Sequence, residues 1–495
     1  MNLIEAKKFF FTIFLLMLII ECLSFLGFYY YPLEIIFFWL ILLITLISSL
    51  KNLANGLIIA LVELFLGSQG HLFTISINNF EISIRIGIFI VLALVYFLNL
   101  IKNKTFGVFR KSNFFLPSLT LFLFIGWALL NGILKHNGLA NIFFDSNAFF
   151  YLFYILMFFE VITNEKIIIK IFLTLGAAVI VICLLTLCYF LIFAYQPPLD
   201  LTLMYKWIRN MKIGEITYVT GNIYRIFLQA QIYSLIGFVI AFVFLISRYL
   251  KNNQLTFVKP FKFLIIIVTL AGSLATILCF SRSNWIGGMA AIFLLLIFLL
   301  IYFKISFKNL IKISALFIII IIIDLIFLYF ISGNFSPNLI KNRFSNLTED
   351  SAGISRLNQL NPLIKNIKEN WLLGAGFGKT VTYQTNDPRV LKKAPSGWYT
   401  TYAFEWGYLD LLLKLGIIGF LAYFYLLIKI FKVGFSLLKK LITLNQQLLI
   451  LGLLAGLSSL TFTHIFSPYL NHPLGFGYLL LTMAIFNYYD KIQKI

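Results

Sequence analysis

Charged residues are scarce in this chain: only 12% of its 495 residues are Asp, Glu, Lys or Arg, while 61% are hydrophobic. Soluble domains carry roughly 25% charged residues, so a water-soluble globular fold is excluded. Acids are scarcer still, 18 against 39 basic residues, for a net charge of +21. Cysteines and histidines number four each. Cys22, Cys183, Cys188 and Cys279 all fall in apolar runs, with the spacing of neither a metal site nor a disulfide framework. With no HExxH and no cysteine pair, the sequence implies neither a metal nor any other cofactor. A repeat of fixed period and a low-complexity linker are also missing, which argues against a solenoid or a string of domains.

What is present is apolar sequence in long unbroken runs. A backbone inside a bilayer must satisfy its own hydrogen bonds, so the choice lies between helices and a closed barrel. The runs do not alternate apolar with polar residues, which leaves helices. At about 20 residues per crossing, spans are expected near 9–31, 33–50, 53–67, 83–101, 115–134, 148–164, 167–195, 231–250, 263–281, 283–303, 311–331, 409–428, 446–466 and 474–489. The third is short enough to be tilted or re-entrant. The fold class expected is an all-α polytopic membrane protein with about 11–14 transmembrane helices.

The net charge of +21 first suggests nucleic acid, but cytoplasmic loops of membrane proteins are enriched in Lys and Arg. With a cytoplasmic N-terminus, Lys7, Lys8, Lys51, Lys104, Arg110, Lys166, Lys170, Lys251, Lys304, Lys308, Lys429, Lys439, Lys440 and Lys494 all fall on the inner side, and no nucleic acid is called for. Both termini are then expected to be cytoplasmic. The remaining basic residues concentrate in two outer loops, 196–230 (Lys206, Arg209, Lys212, Arg225) and 332–408 (Lys341, Arg343, Arg356, Lys365, Lys368, Lys379, Arg389, Lys392, Lys393). Positive charge there opposes the orientation rule, and a bound anion is its natural reason; solvated loop charge is the plainer one. The organisation expected is a helix bundle over 1–331, an outer loop subdomain over 332–408, and C-terminal membrane helices over 409–495.

Within the large loop, Asn361 before Pro362 reads as a helix start, with Leu363, Ile364, Ile367 and Trp371 at helical spacing. A surface helix over 362–372 is expected, with Arg356 just ahead of it. Gly374 to Thr380 looks like a phosphate loop, but that motif needs glycine where this chain has Leu373, so a tight turn is the better reading. Ser281-Arg282-Ser283 sits at a hairpin tip between two spans, where an arginine must snorkel or find an anionic partner. Arg225 is a weaker case of the same kind. Glu405 lies among Tyr402, Phe404, Trp406 and Tyr408; it is either a desolvated general base or a structural acid paired with arginine. His464 and His472 flank the turn before the last span and are alternative bases, or satisfied structural residues. Glu21, Glu63 and Asp324 are expected to pair internally with groups such as Arg85.

Three stretches, CFSRSNWIGG, ISRLNQLNPLIKNIKENWLLGAGFG and FEWGYLDLLLKLGIIGFLAY, together resemble the O-antigen ligase and O-antigen polymerase superfamily of bacterial envelope proteins. The resemblance covers the C-terminal half. It implies transfer of a glycan from a polyprenyl diphosphate carrier to an acceptor hydroxyl, on the outer face of the plasma (inner) membrane and without a metal or nucleotide sugar. Arg282 and Arg356 match the family's diphosphate-binding arginines. Where the family has His-Asn-x-Tyr-Leu, this chain has Glu405-Trp406-Gly407-Tyr408-Leu409, so Glu405 stands in the place of the family's histidine base. The rival readings are a transporter or flippase of lipid-linked glycans, for which broken helices and repeats would be the sign, and a non-catalytic envelope protein.

Overall fold

The computed structural model describes residues 1–77, 80–103, 107–250, 258–333, 351–385, 388–392, 394–441 and 443–493. Lys104, Lys251, Lys341, Arg343, Lys393 and Lys494 lie outside the described residues. Among those described, 12 helices are long and apolar enough to cross a membrane. The protein is an all-α polytopic membrane protein.

Lipid exposure sorts the helices into rings. Gln231–Tyr249 and Leu444–Thr463 are each 78% buried over their most apolar windows, whereas Tyr31–Lys51 and Phe307–Ser332 are only 22% buried. The first pair forms the centre and the second the rim, where leucine, isoleucine and phenylalanine face hydrocarbon at no cost. Hydroxyls inside the spans return to their own helices, as in Thr45 Oγ1 to the Ile41 carbonyl (2.7 Å) and Thr269 Oγ1 to the Ile265 carbonyl (2.7 Å). A hydroxyl with no water to bind takes the carbonyl four residues back.

Several boundaries differ from those expected. Leu53–Leu66 has 14 residues, about 21 Å of helix, too short to cross a hydrocarbon core of about 30 Å. The helix ahead of Val161 starts at Leu139 rather than 148. Pro473–Ile492 is not among the twelve apolar spans, yet it is buried along most of its length and meets other helices instead of lipid. The loop helix runs over Ser351–Glu369, with Pro362 inside it. Arg356 is therefore within the helix and not ahead of it. Side chains of the first turns, Ser355 to Thr385 (2.8 Å) and Asn358 to the Gln384 carbonyl (3.0 Å), anchor that segment, and tertiary contacts carry the helix past a residue that by itself would start one.

The return helix Gly407–Lys440 is broken at Gly416, whose backbone is non-helical (φ 68, ψ 179). The residues 417–440 alone give about 36 Å of helix, enough to cross the bilayer. The break thus leaves a full crossing after it, and residues 407–415 are a separate segment, where the expected span began at 409. Among the described residues, three antiparallel hairpins were not anticipated: Thr74–Ile77 with Phe80–Ser83, Gly214–Thr220 with Ile223–Leu228, and Val381–Gln384 with Trp398–Thr401. All three belong to the end of the bundle that carries the large loop.

The expected pairing of buried acids is found only in part. Glu63 pairs with Arg85 (2.9 Å) and Asp324 reaches Ser273. Both carboxylate oxygens of Glu21 lack a hydrogen-bond partner among the described residues. Arg85 serves Glu63 and the Ser68 carbonyl (2.9 Å) instead.

Candidate functional site

The loop end of the bundle is assembled around the break at Gly416. Because the helix is interrupted, the carbonyls of Leu413 and Lys414 are free, and they accept the amides of Ala375 (2.7 Å) and Gly376 (3.2 Å). The amide of Ile417 donates to the Trp371 carbonyl (2.8 Å). The Gly-rich turn is threaded into the break, and this is why it is glycine: a Cβ on Gly376 would stand 2.3 Å from the Gly132 nitrogen, and one on Gly374 would stand 2.3 Å from the Lys414 carbonyl oxygen. The turn binds backbone, not phosphate.

Beneath the turn lies a buried charge network that sequence reasoning missed. The ammonium of Lys414 contacts Asp145 and Asp410, and all three side chains are at most 5% exposed. The remaining oxygens are satisfied by the Gly378 amide (2.8 Å, to Asp145) and the Asn471 side chain (2.6 Å, to Asp410). A buried ion is tolerated only when paired and hydrogen-bonded in this way. The signal in the sequence was Asp410 and Lys414 four residues apart in an apolar run, one face of one helix.

On this base the loop helix docks. Leu363, Ile367, Ala375, Val381, Phe404 and Leu413 form a small hydrophobic core of their own, apart from the main one. The guanidinium of Arg356 is ion-paired with the carboxylate of Glu405. The Arg356 carbonyl accepts the Trp406 indole N–H (3.0 Å), and the Glu405 amide donates to Gln359 (3.3 Å). Glu405 is 50% exposed, so the expectation of a carboxylate enclosed by Tyr402, Phe404, Trp406 and Tyr408 is corrected. Phe404 turns into the small core and Trp406 toward Phe466 (ring centroids 5.6 Å), which leaves the acid facing out beside its arginine.

The other candidates meet around the turn between Leu444–Thr463 and Pro473–Ile492. Arg282 opens the helix Arg282–Phe303, capped by Ser281, and the neighbouring Ser283 hydroxyl contacts Ser467 of the turn (2.9 Å). Arg225, on its hairpin, donates to the Cys279 carbonyl (3.1 Å), three residues from Arg282. His464 is fully buried and its Nδ1 accepts the Leu470 amide (3.1 Å). It lies edge-on to Tyr408 (4.6 Å), and Gly407 has no room for a Cβ because the His464 ring is there. Burial holds His464 far below the ordinary imidazole range, at about 3. His472 caps the last helix through the Leu474 amide (3.4 Å); burial, then Arg85 and His71, lower it to about 3. The turn therefore touches the segment bearing Glu405 and the helix start bearing Arg282, and His472 feels the charge of Arg85.

A bundle of many apolar helices with an arginine-bearing loop docked on one end defines a multi-pass membrane protein. Residues 267–424 match the sequence family described as O-antigen ligase, which supports the resemblance to the O-antigen ligase and polymerase superfamily. No curated protein matches the chain significantly. The matched segment takes in Arg282, Arg356, Glu405 and the break at Gly416, and leaves Arg225, His464 and His472 outside.

Proposed function

We propose that the protein is a glycosyltransferase that moves a glycan from a polyprenyl diphosphate carrier to an acceptor hydroxyl, as a ligase or a polymerase of surface polysaccharide. The observation that carries this reading is the Arg356–Glu405 pair, held at the membrane boundary by the docked loop inside the O-antigen ligase segment. The loop end is proposed to be the outer face of the plasma membrane, because Lys7, Lys51, Lys166, Lys304 and Lys440 gather at the opposite end as cytoplasmic loops do.

In this mechanism Arg282 and Arg356, with Arg225 behind them, bind the diphosphate. Its charge competes with Glu405 for Arg356 and frees the carboxylate toward the acceptor. The acceptor oxygen bonds to the anomeric carbon and the bond from that carbon to the phosphate oxygen breaks. The bonding pair leaves with the diphosphate, whose growing charge the arginines stabilise. Glu405 takes the acceptor proton, and a single displacement inverts the anomeric centre. Arginine supplies the positive charge, so the reading calls for no metal. Glu405 is favoured over His464, whose accepting nitrogen is already occupied by the Leu470 amide.

A transporter or flippase of lipid-linked glycans draws support from the broken helix at Gly416. Such breaks lie near the midplane in transporters, whereas this one leaves a full crossing after it. Vesicles loaded with lipid-linked glycan and an acceptor separate the two. A new glycosidic bond supports the transferase, and glycan translocation without a new bond refutes it.

A further inference from the structure

At the end of the bundle opposite the loop there is a cavity of about 670 Å³, within the range of roughly 300–1,000 Å³ typical of small-molecule sites. Its walls come from four helices, Glu165–Tyr195, Gln231–Leu245, Val258–Leu278 and Leu444–Thr463. Phe172, Ile240, Ala241, Leu264 and Val268 line it. From Glu165 at the mouth to Gly176 at the far end it runs about 16 Å along the helix, about half of a hydrocarbon core of roughly 30 Å. That is the depth of one leaflet. Water has nothing to bind in the apolar part of this space, which suits a hydrocarbon chain.

The mouth is polar and rich in acceptors. Glu165 receives a hydrogen bond from Gln446 (3.1 Å) and keeps further capacity, and the buried Oδ1 of Asn445 has no donor among the described residues. Thr443 and Tyr489 complete the rim. Lys262, Lys439 and Lys440 are exposed at the same end of the bundle, where basic residues attract lipid phosphate. A headgroup that satisfies both features carries a phosphate and a primary ammonium. We propose that this cavity is a binding site for one phospholipid of that class, its acyl chain in the cavity and its ammonium on Glu165 and Asn445. The site is remote from Arg356 and Glu405, and the proposal does not depend on the transferase reading.

The test reconstitutes the full chain in vesicles of equal phosphatidylethanolamine and phosphatidylcholine, re-extracts it in detergent, and quantifies retained lipid by mass spectrometry. Wild type is expected to retain phosphatidylethanolamine over phosphatidylcholine by about tenfold, the worth of one charge-assisted hydrogen bond. Glu165→Gln should retain lipid with the preference lost. Ala241→Phe and Leu264→Trp, which fill the cavity, should retain none while unfolding at the wild-type temperature. Equal retention of both lipids by wild type, retention unchanged in both filled variants, or an isoprenoid lipid held in place of phospholipid would overturn the assignment.

Discussion

Arg356 and Glu405 are adjacent in space although 49 residues apart in sequence, and each restrains the other. If the pair holds the diphosphate and then releases the base, Arg356→Ala and Arg282→Ala should each lower transfer by on the order of 10²-fold or more. Glu405→Gln should do the same while the donor binds more tightly, because Arg356 loses its competing carboxylate, measured as a fall in kcat with a lower KM. Glu405→His should restore much of the rate, because the family places histidine at this position. Arg282, Arg356 and Glu405 were legible in the sequence as charges out of place beside apolar spans. Their partners were not, since pairing between a loop helix and a return segment is a tertiary fact. At the same scale, His464 makes stability depend on pH. Its folded value of about 3 lies below an unfolded value of about 6.5, so between these limits the unfolded state binds more protons and stability falls as pH falls. Thermal unfolding in detergent should show this slope from about pH 6.5 downward, and His464→Gln should make it shallower, leaving the share that His472 contributes in the same way.

Among the elements, the return helix governs the site. Its break at Gly416 lets the Gly-rich turn pass, and a Cβ there would stand 2.4 Å from the Gly374 nitrogen. Gly416→Ala should destabilise the loop by at least about 1–3 kcal/mol of backbone strain, read as faster proteolysis at the loop with the bundle intact. Lys414→Met should cost about 3–5 kcal/mol, because it strands two buried carboxylates. Adding Asp145→Asn and Asp410→Asn should recover most of that loss. Hydrophobic runs told where these helices lie but not where they stop. The run from 409 to 428 reads as one span by composition, and the interruption is set by backbone hydrogen bonds with residues 371–376. In the same way Pro362 reads as a helix start, and only Ser355, Asn358 and Arg356, held by strand and return segment, show why the helix begins earlier. The hairpin at 214–228 did carry a signal, Gly221-Asn222 between β-branched and aromatic residues, overshadowed by the surrounding apolar spans.

For the whole molecule, composition alone specified a helical membrane protein, because 61% hydrophobic residues in unbroken runs permit no other architecture. It did not specify which ends meet. Single cysteines test the proposed orientation: in a chain whose native cysteines are replaced by serine or alanine, Thr400→Cys should react with an impermeant maleimide on intact cells, and Lys440→Cys only after permeabilisation. The account as a whole rests on chemistry at the loop face. The most direct measurement is glycan transfer by the purified protein in vesicles containing polyprenyl-diphosphate-linked glycan and acceptor, comparing wild type with Arg282→Ala and Glu405→Gln. The account predicts a new glycosidic bond with inverted anomeric configuration in wild type and transfer lowered at least about 10²-fold in both variants. Full transfer by both variants, or no transfer by wild type, would contradict it.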